Sequence, residues 1–424
     1  ANGSAGGFGN TQPGGGGRIA VNYNSSAQGA IAVPAICYSC SSPSTQLAGA
    51  GDIGTLYFSD NRFLERNPLT GLTGQWHSSS ANISFTQLTV SNAWIRFVDD
   101  GINLTVANEL LLMTNARVEI GGNLTPSNFW WDYKTSASLG GKLPRPLSEM
   151  TSNPRLECGS ITLTNSGSLW VFAGLTNATV RTGAVVKVTT MLTVSTNSWL
   201  YPVSHGTNGG QVVMVLGGMK ILPGGGIDAS GLGFGLPDNT YVNVQGYGYG
   251  GGAYAFIGGG YGGKGAQASG NYGRTYGSSN IPPFNCGSGG GAYSGGGVGG
   301  SGGGLIHIDA SLFDIRIDGI IKADGGPAGG QCGSGSGGGV HIVCQGFAGS
   351  GRIQAEGGVG GGTINVGGGG GGRIAIFRRP EKDTFAGAYS ALPGYGIAYT
   401  GEAGTVFIGE SLLPPAQGVV LSIR

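Results

Sequence analysis

The sequence predicts an all-β fold, a parallel β-helix (β-solenoid) that carries a glycine-rich loop insertion. Three observations predict it. Glycine supplies 91 of 424 residues, about a fifth of the chain and roughly three times ordinary usage, while hydrophobic residues still reach 39% and charged residues only 10%. Short strand-like phrases recur with a period near 33. Gly304-Leu305-Ile306-His307-Ile308, Gly339-Val340-His341-Ile342-Val343 and Gly372-Arg373-Ile374-Ala375-Ile376 start 35 and then 33 residues apart (304 to 339 to 372). A second phrase, Gly-x-Ile-x-Ala-(Ser/Asp/Glu)-Gly, sits at Gly225–Gly231, Gly319–Gly325 and Gly351–Gly357. A period of this length with alternating apolar residues and no helical stripe is the signature of stacked β coils. No single coil can bury its own apolar face, but a stack can.

The elements run in chain order. Residues 1–75 form a first module, with Gly14–Val21 (GGGGRIAV) and Ala50–Tyr57 (AGDIGTLY) as its two phrases. Residues 76–205 are rich in Thr, Asn, Ser and Val. Their strand-like runs are Ile83–Val98, Leu104–Ile120, Ile161–Phe172 and Val180–Leu200. Near Ser204-His205-Gly206 the composition switches: residues 1–208 hold 24 glycines and residues 209–372 hold 60. Residues 206–377 are the glycine-rich coils, in which the small Ala of Ile-x-Ala-x-Gly suits a tight corner. The insertion at 230–300 interrupts their period. Its tracts, such as Gly258–Gly263 and Gly287–Gly291, are readable as packed, extended polyglycine helices bonded to one another or as flexible loops. The tyrosines among them either cover the glycines or stack on sugars. Residues 378–424 start a module like the first. Gly369–Ile376 (GGGGRIAI) repeats Gly14–Val21 at an offset of 355 (18 to 373), and Gly401–Phe407 repeats the second phrase at an offset of 350 (54 to 404). The chain therefore begins and ends in the same kind of module. That arrangement suits tandem units in a longer protein or copies stacked head to tail, either of which is non-closing, or else a simple internal duplication in a monomer. Arg18, Ile19, Arg373 and Ile374 are the assembly candidates.

Charge and motif content exclude several classes. The net charge of +1 gives no basic excess for nucleic acid, and no apolar run is long enough to span a membrane. The chain starts at Ala1 without a signal peptide and reads as a mature product or a cut piece. No phosphate-binding loop or HExxH is present, and the single GxSxG, around Ser301, lies inside a glycine run rather than between a strand and a helix. Asp99-Asp100 and His205 are the nearest echo of a polysaccharide-cleaving site, and each also reads as a turn. Asp324 and Glu356 occupy equivalent corners, but Ser230 takes the third, so no carboxylate ladder for metal is expected. No catalytic residue, cofactor or metal is predicted, and the chain is not expected to be an enzyme.

Six cysteines, Cys37, Cys40, Cys158, Cys286, Cys332 and Cys344, are disulfide candidates in an oxidising compartment. Cys37-Tyr-Ser-Cys40 reads as a local bridge or free thiols rather than half a zinc site. Asn2, Asn24, Asn82, Asn103, Asn123 and Asn177 are N-glycosylation candidates, all in the first half. Phe129-Trp130-Trp131 reads as aromatic packing over a coil end, with an interface or a sugar platform as the alternative. His341 falls where neighbouring coils place an inward Ile, so it is either a buried histidine or a sign that the strand slips by one register.

Several phrases together resemble the large glycine-rich, pectin-lyase-like β-helix repeat proteins of microbial and protist surfaces. They are Tyr201-Pro202-Val203-Ser204-His205, Gly225–Gly231, Gly259–Gly263, Tyr276-Gly277-Ser278, Gly367–Ile376 and Gly401–Phe407, and they cover about 200–408 with an echo at 14–58. The resemblance implies extracellular architecture more than any activity. The expected function is that of an extracellular or cell-surface structural protein, a rod whose partner is itself in a filament or surface layer. The alternatives are a glycan-binding adhesin that uses the Gly/Tyr insertion and, third, a polysaccharide lyase or hydrolase.

Overall fold

The computed structural model describes residues 17–24, 26–27, 53–78, 80–99, 101–121, 153–174, 176, 182–235, 245–254, 256–266, 271–279, 281–292, 299–360, 366–396 and 399–411. Among them the chain is all-β, apart from two single 3-10 turns at Arg62–Leu64 and Pro380–Lys382. All strand pairings between named strands are parallel and join strands that belong to successive passes of the chain, which gives a solenoid-like architecture.

Three columns of strands make up two sheets. An 11-stranded sheet is one column, running from Arg18–Val21 to Ala388–Ser390. A 16-stranded sheet holds the other two, joined where the long strands Asn103–Met113 and Arg155–Leu163 serve both. Each later pass contributes one strand to each column, for example Leu305–Ala310, Ile315–Ile317 and Ile320–Lys322.

Period-2 alternation sends one set of side chains to the interior. In one column Ile83, Leu104, Leu156, Val186, Met214, Ile308, Ile342 and Ile376 stack in register, and each is at most 1% exposed. In the 11-stranded sheet Ile227, Ile321 and Ile353 align, as their repeated phrase predicts. The Ala two residues after each, at 229, 323 and 355, is fully buried at the corner. The columns run without a break through the composition switch near residue 205, because Trp199–Val203 pairs directly with Gly226–Asp228.

The glycine tracts form a second layer. Their backbone bonds advance three residues at a time. Gly287 N donates to Gly303 O and Gly290 N to Gly300 O; Gly300 N donates to Gly333 O and Gly303 N to Ser336 O; Ser334 N donates to Gly367 O and Gly337 N to Gly370 O. Three residues per turn is the repeat of an extended polyproline-II-type helix. These tracts are therefore polyglycine helices bonded to one another rather than flexible loops. The segment at 230–300 lengthens one pass, since Gly226 faces Ile320 whereas Ile320 already faces Arg352, and its described tracts interleave with the corner excursions of later passes, at 323–338, 355–372 and 391–404. Glycine is needed because neighbouring backbones lie almost in contact. A Cβ at Gly335 would sit 1.9 Å from Ser301 O, and one at Gly369 would sit 1.9 Å from Gly335 O.

One charge is fully buried on the outer side of the 11-stranded sheet. Glu119 accepts from Arg96, from Arg117 Nε at 2.5 Å and from Trp94 Nε1 at 2.7 Å. Burial opposes its charge, but Arg96 and Arg117 outweigh it and hold the carboxyl below its usual range. The Arg117 guanidinium in turn lies between the rings of Trp94 and Trp170, 4.4 and 4.6 Å from their centroids.

Candidate assembly interface

The two matching sequence modules fold alike. Arg18–Val21 pairs with Thr55–Phe58 so that Arg18 faces Thr55 and Ile19 faces Leu56. Arg373–Arg378 pairs with Thr405–Glu410 so that Arg373 faces Thr405 and Ile374 faces Val406. The bond leading into each pair is also shared: Thr55 N donates to Gly17 O and Thr405 N to Gly372 O, both at 3.0 Å. The modules differ in place. The first lies in the 11-stranded sheet and the second in the 16-stranded sheet, so they are not one surface repeated by simple translation.

Among the described residues, each end of the stack finishes on a strand with a neighbour on one side only. Arg18–Val21 is the terminal strand at one end and Thr405–Glu410 the terminal strand of its column at the other. The apolar core runs out to both. Ile408 continues the buried ladder beyond Ile376 yet is 36% exposed, Val406 is 45% exposed, and Val21 is 37% exposed. Along the second edge Val406, Phe407 and Ile408 are consecutive and apolar, while the first edge carries the exposed Arg18.

The four assembly candidates divide. Arg18 and Ile19 lie on the open edge, one exposed and the other partly so. Arg373 and Ile374 do not: they are 4% and 1% exposed. The cover over Arg373 comes from the glycine-rich layer. Its guanidinium lies 5.8 Å from the Tyr261 ring and donates to Ile281 O, and a Cβ on Gly277 would strike it. Arg373 therefore pins the polyglycine layer to the β stack, and Thr405–Glu410 takes its place as the open edge.

His341 is explained by a register slip. Gly339 faces Leu305 and Val340 faces Ile306, so His341 faces His307 on the outer side of the sheet instead of entering the core. The two rings stack at 4.6 Å, with Phe284 and Phe377 edge-on to His341. Neither Nδ1 has a hydrogen-bond partner. Burial is the main force pushing His341 down to about 3; the neighbouring His307 adds to it, and Asp309 opposes it. Burial lowers His307 too, again against Asp309. An unfolded histidine titrates near 6.5, so the unfolded chain binds more protons than the folded one below that pH. The stability from keeping these rings neutral is complete above about pH 6.5 and is lost as pH falls toward 3. His341→Phe is expected to remove about 3 kcal/mol of the stability lost between pH 6.5 and 4, at about 1.4 kcal/mol per pH unit. Urea unfolding at both pH values checks this, and equal acid sensitivity in wild type and variant would contradict it.

The remaining candidates are dispersed. Asp99 accepts from Ser78 N at 2.8 Å and meets His77 Nδ1 at 3.1 Å, while Asp100 lies outside the described residues. His205 is buried in a turn, its Nδ1 3.1 Å from Thr207 Oγ1. The strands that lead to Asp99 and His205 are three rungs apart, roughly 14 Å at about 4.8 Å per rung, so the two cannot share a proton. Ser301 sits in the polyglycine layer, its carbonyl accepting from Gly326 N. At the equivalent corners Ser230, Asp324 and Glu356 bond one to the next: Asp324 N donates to Ser230 Oγ and Glu356 N to Asp324 Oδ1. Among the described residues no group of three or more His, Cys, Asp or Glu could hold a metal ion. No helix among them is long and apolar enough to cross a membrane.

The disulfide expectation is corrected at three positions. Cys158, Cys286 and Cys344 are buried, unbridged thiols. Cys158 faces Val106 and Val188 and Cys344 faces Ala310 in the columns, so each acts as a small apolar rung. Burial pushes all three thiols up to about 12, which keeps them un-ionised. Cys332 is buried as well. Of the sequons, Asn24 and Asn82 are exposed, and Asn103 donates to Asn82 Oδ1 from the adjacent rung. Cys37, Cys40, Asn2, Asn123, Asn177 and the Phe129-Trp130-Trp131 cluster lie outside the described residues. In the glycine-rich layer Tyr261 is buried, while Tyr249 and Tyr254 are exposed.

No known protein family, curated protein or solved structure matches this chain, so the resemblance to glycine-rich β-helix surface proteins is supported as far as an all-β, parallel, solenoid-like architecture and no further.

Proposed function

We propose that the stack is a parallel β-helix and that the protein is an extracellular structural rod whose copies join head to tail into a filament. The observation that carries this reading is that, among the described residues, the apolar ladder is exposed at both terminal strands. Repeat proteins that remain single close their cores with polar terminal repeats. Here the core ladder reaches the surface at Ile408 and Val406 on one end and at Val21 on the other. A parallel stack has two different ends, so a junction between them is heterologous, keeps strand polarity and does not close on itself. Continuing the columns across a junction would satisfy the open backbone groups and cover the exposed core. The scarcity of charge, 10% of residues, leaves little repulsion between copies.

Sedimentation of the purified protein over a concentration series tests the reading. Mass that grows without limit as concentration rises supports open-ended association. A single species that stays monomeric at every concentration contradicts it.

A further inference from the structure

A groove lies on the flank of the stack and runs up to Ala388–Ser390, the last described strand of the 11-stranded sheet. Its volume is about 600 Å3. Its floor is made where the chain turns from the short column into the 11-stranded sheet. At that corner Gly319, Gly351 and Gly387 each stand so close to the rung below that an added Cβ would lie 2.0 to 2.2 Å from the carbonyl oxygen of Gly225, Gly319 or Gly351. Close stacking thus demands glycine there and leaves a trough free of side chains. The first residues of the adjoining strands, Ile320, Arg352 and Ala388, form one wall, and Asp318 and Ser350 belong to the other. Trp199 closes one end, beside a position where Gly226 supplies no side chain.

The chemistry of the lining is specific. Trp199 offers an indole partly open to the trough, with Lys322 Nζ 5.5 Å from its ring and that amine also 2.9 Å from Asp228. Each charge of the walls is already answered within the chain. Arg316 Nη2 donates to Asp318 Oδ1 at 2.9 Å, and Arg352 Nη2 donates to Glu356 Oε1 at 2.6 Å. The trough therefore offers hydrogen-bonding groups without net charge. From Trp199 through Gly226, Ile320 and Arg352 to Ala388 it spans four rungs, about 19 Å, room for roughly four pyranose units. An aromatic platform, polar rims and a straight bare floor suit an extended chain of rings with apolar faces and hydroxyl edges.

We propose that this trough binds a neutral linear polysaccharide, with Trp199 as its stacking platform and Arg352 and Asp318 as hydrogen-bonding groups on opposite walls. The site does not include the edges at Arg18–Val21 and Thr405–Glu410, although its far end reaches the terminal strand Ala388–Ser390. Titration of the protein with cellohexaose, xylohexaose and mannohexaose, followed by tryptophan fluorescence and calorimetry, tests it. Saturable binding of at least one hexasaccharide is expected. Trp199→Ala should weaken it at least tenfold, Trp199→Phe and Arg352→Ala should weaken it less, and Tyr249→Ala should leave it unchanged. Polygalacturonate should not compete. The proposal is overturned if none of the three sugars binds at millimolar concentration. It is also overturned if polygalacturonate binds more tightly than they do, or if Tyr249→Ala abolishes binding that survives in Trp199→Phe and Arg352→Ala.

Discussion

Gly335→Ala is expected to destabilise the folded chain by about 3 kcal/mol or more. The added Cβ would stand 1.9 Å from Ser301 O, 2.3 Å from Ser301 C and 2.7 Å from Gly302 N, all of them backbone atoms. Nothing flexible is available to move aside. The tract that carries Ser301 is bonded to the tract of Gly335 on one side and to that of Gly287 on the other, through Gly300 N to Gly333 O and Gly287 N to Gly303 O. Relief at one position therefore shifts the layer. Gly335 itself donates to Gly326 O, so the change also strains a bond back toward the corner. Val359→Ala, at a side chain 41% exposed, is the matched control and should change stability by no more than about 0.5 kcal/mol. Thermal and urea melts of the three proteins decide it. A Gly335→Ala chain as stable as wild type would mean that the tracts are not packed as bonded helices.

Ile408→Asp is expected to abolish end-to-end association and leave the rod folded. The side chain is 36% exposed at the end of its ladder, so a charge there reaches water in the single rod and loses it only when another copy docks. Val21→Asp at the opposite end should act in the same way. The polarity of the junction adds a sharper expectation. A rod with a spoiled end at residue 408 keeps its other end, and a rod spoiled at residue 21 keeps the complementary one. Mixed together, the two variants should form discrete pairs and stop, while each alone stays single. Analytical ultracentrifugation reads both outcomes. Filaments from either variant alone, or no pairing in the mixture, would contradict a head-to-tail junction at these edges.

How much of this was legible in the sequence depended on which side chains carried a pattern. Ile227, Ile321 and Ile353 repeat with their corner alanines, and they align in the stack as the repeat implies. The match between Arg18–Val21 and Arg373–Ile376 likewise became identical strand pairing. The register of Gly339 against Leu305 was hidden, because counting from each tract's last glycine puts the strands out of step by one residue. The burial of Arg373 was hidden for a different reason. Its cover is supplied by Tyr261, Gly277 and Ile281, about a hundred residues earlier, and glycine tracts have no side-chain period to reveal what they pack on. The same silence concealed the interleaving of 230–300 with later tracts, which shows only in the three-residue step of the backbone bonds. The open ends could not be read at all, since the exposure of Ile408 depends on whether another rung covers it. The trough was equally invisible: its floor is made of glycines that look like any others until their carbonyl neighbours are placed.

Electron cryomicroscopy of the protein as purified, without concentration or refolding, tests the central claim most directly. Eleven strands in one column, at about 4.8 Å each, give a copy roughly 50 Å long. The account predicts unbranched filaments with that axial repeat, a layer spacing of about 4.8 Å along the axis and continuous density across each junction. Uniform short rods about one copy long would contradict it.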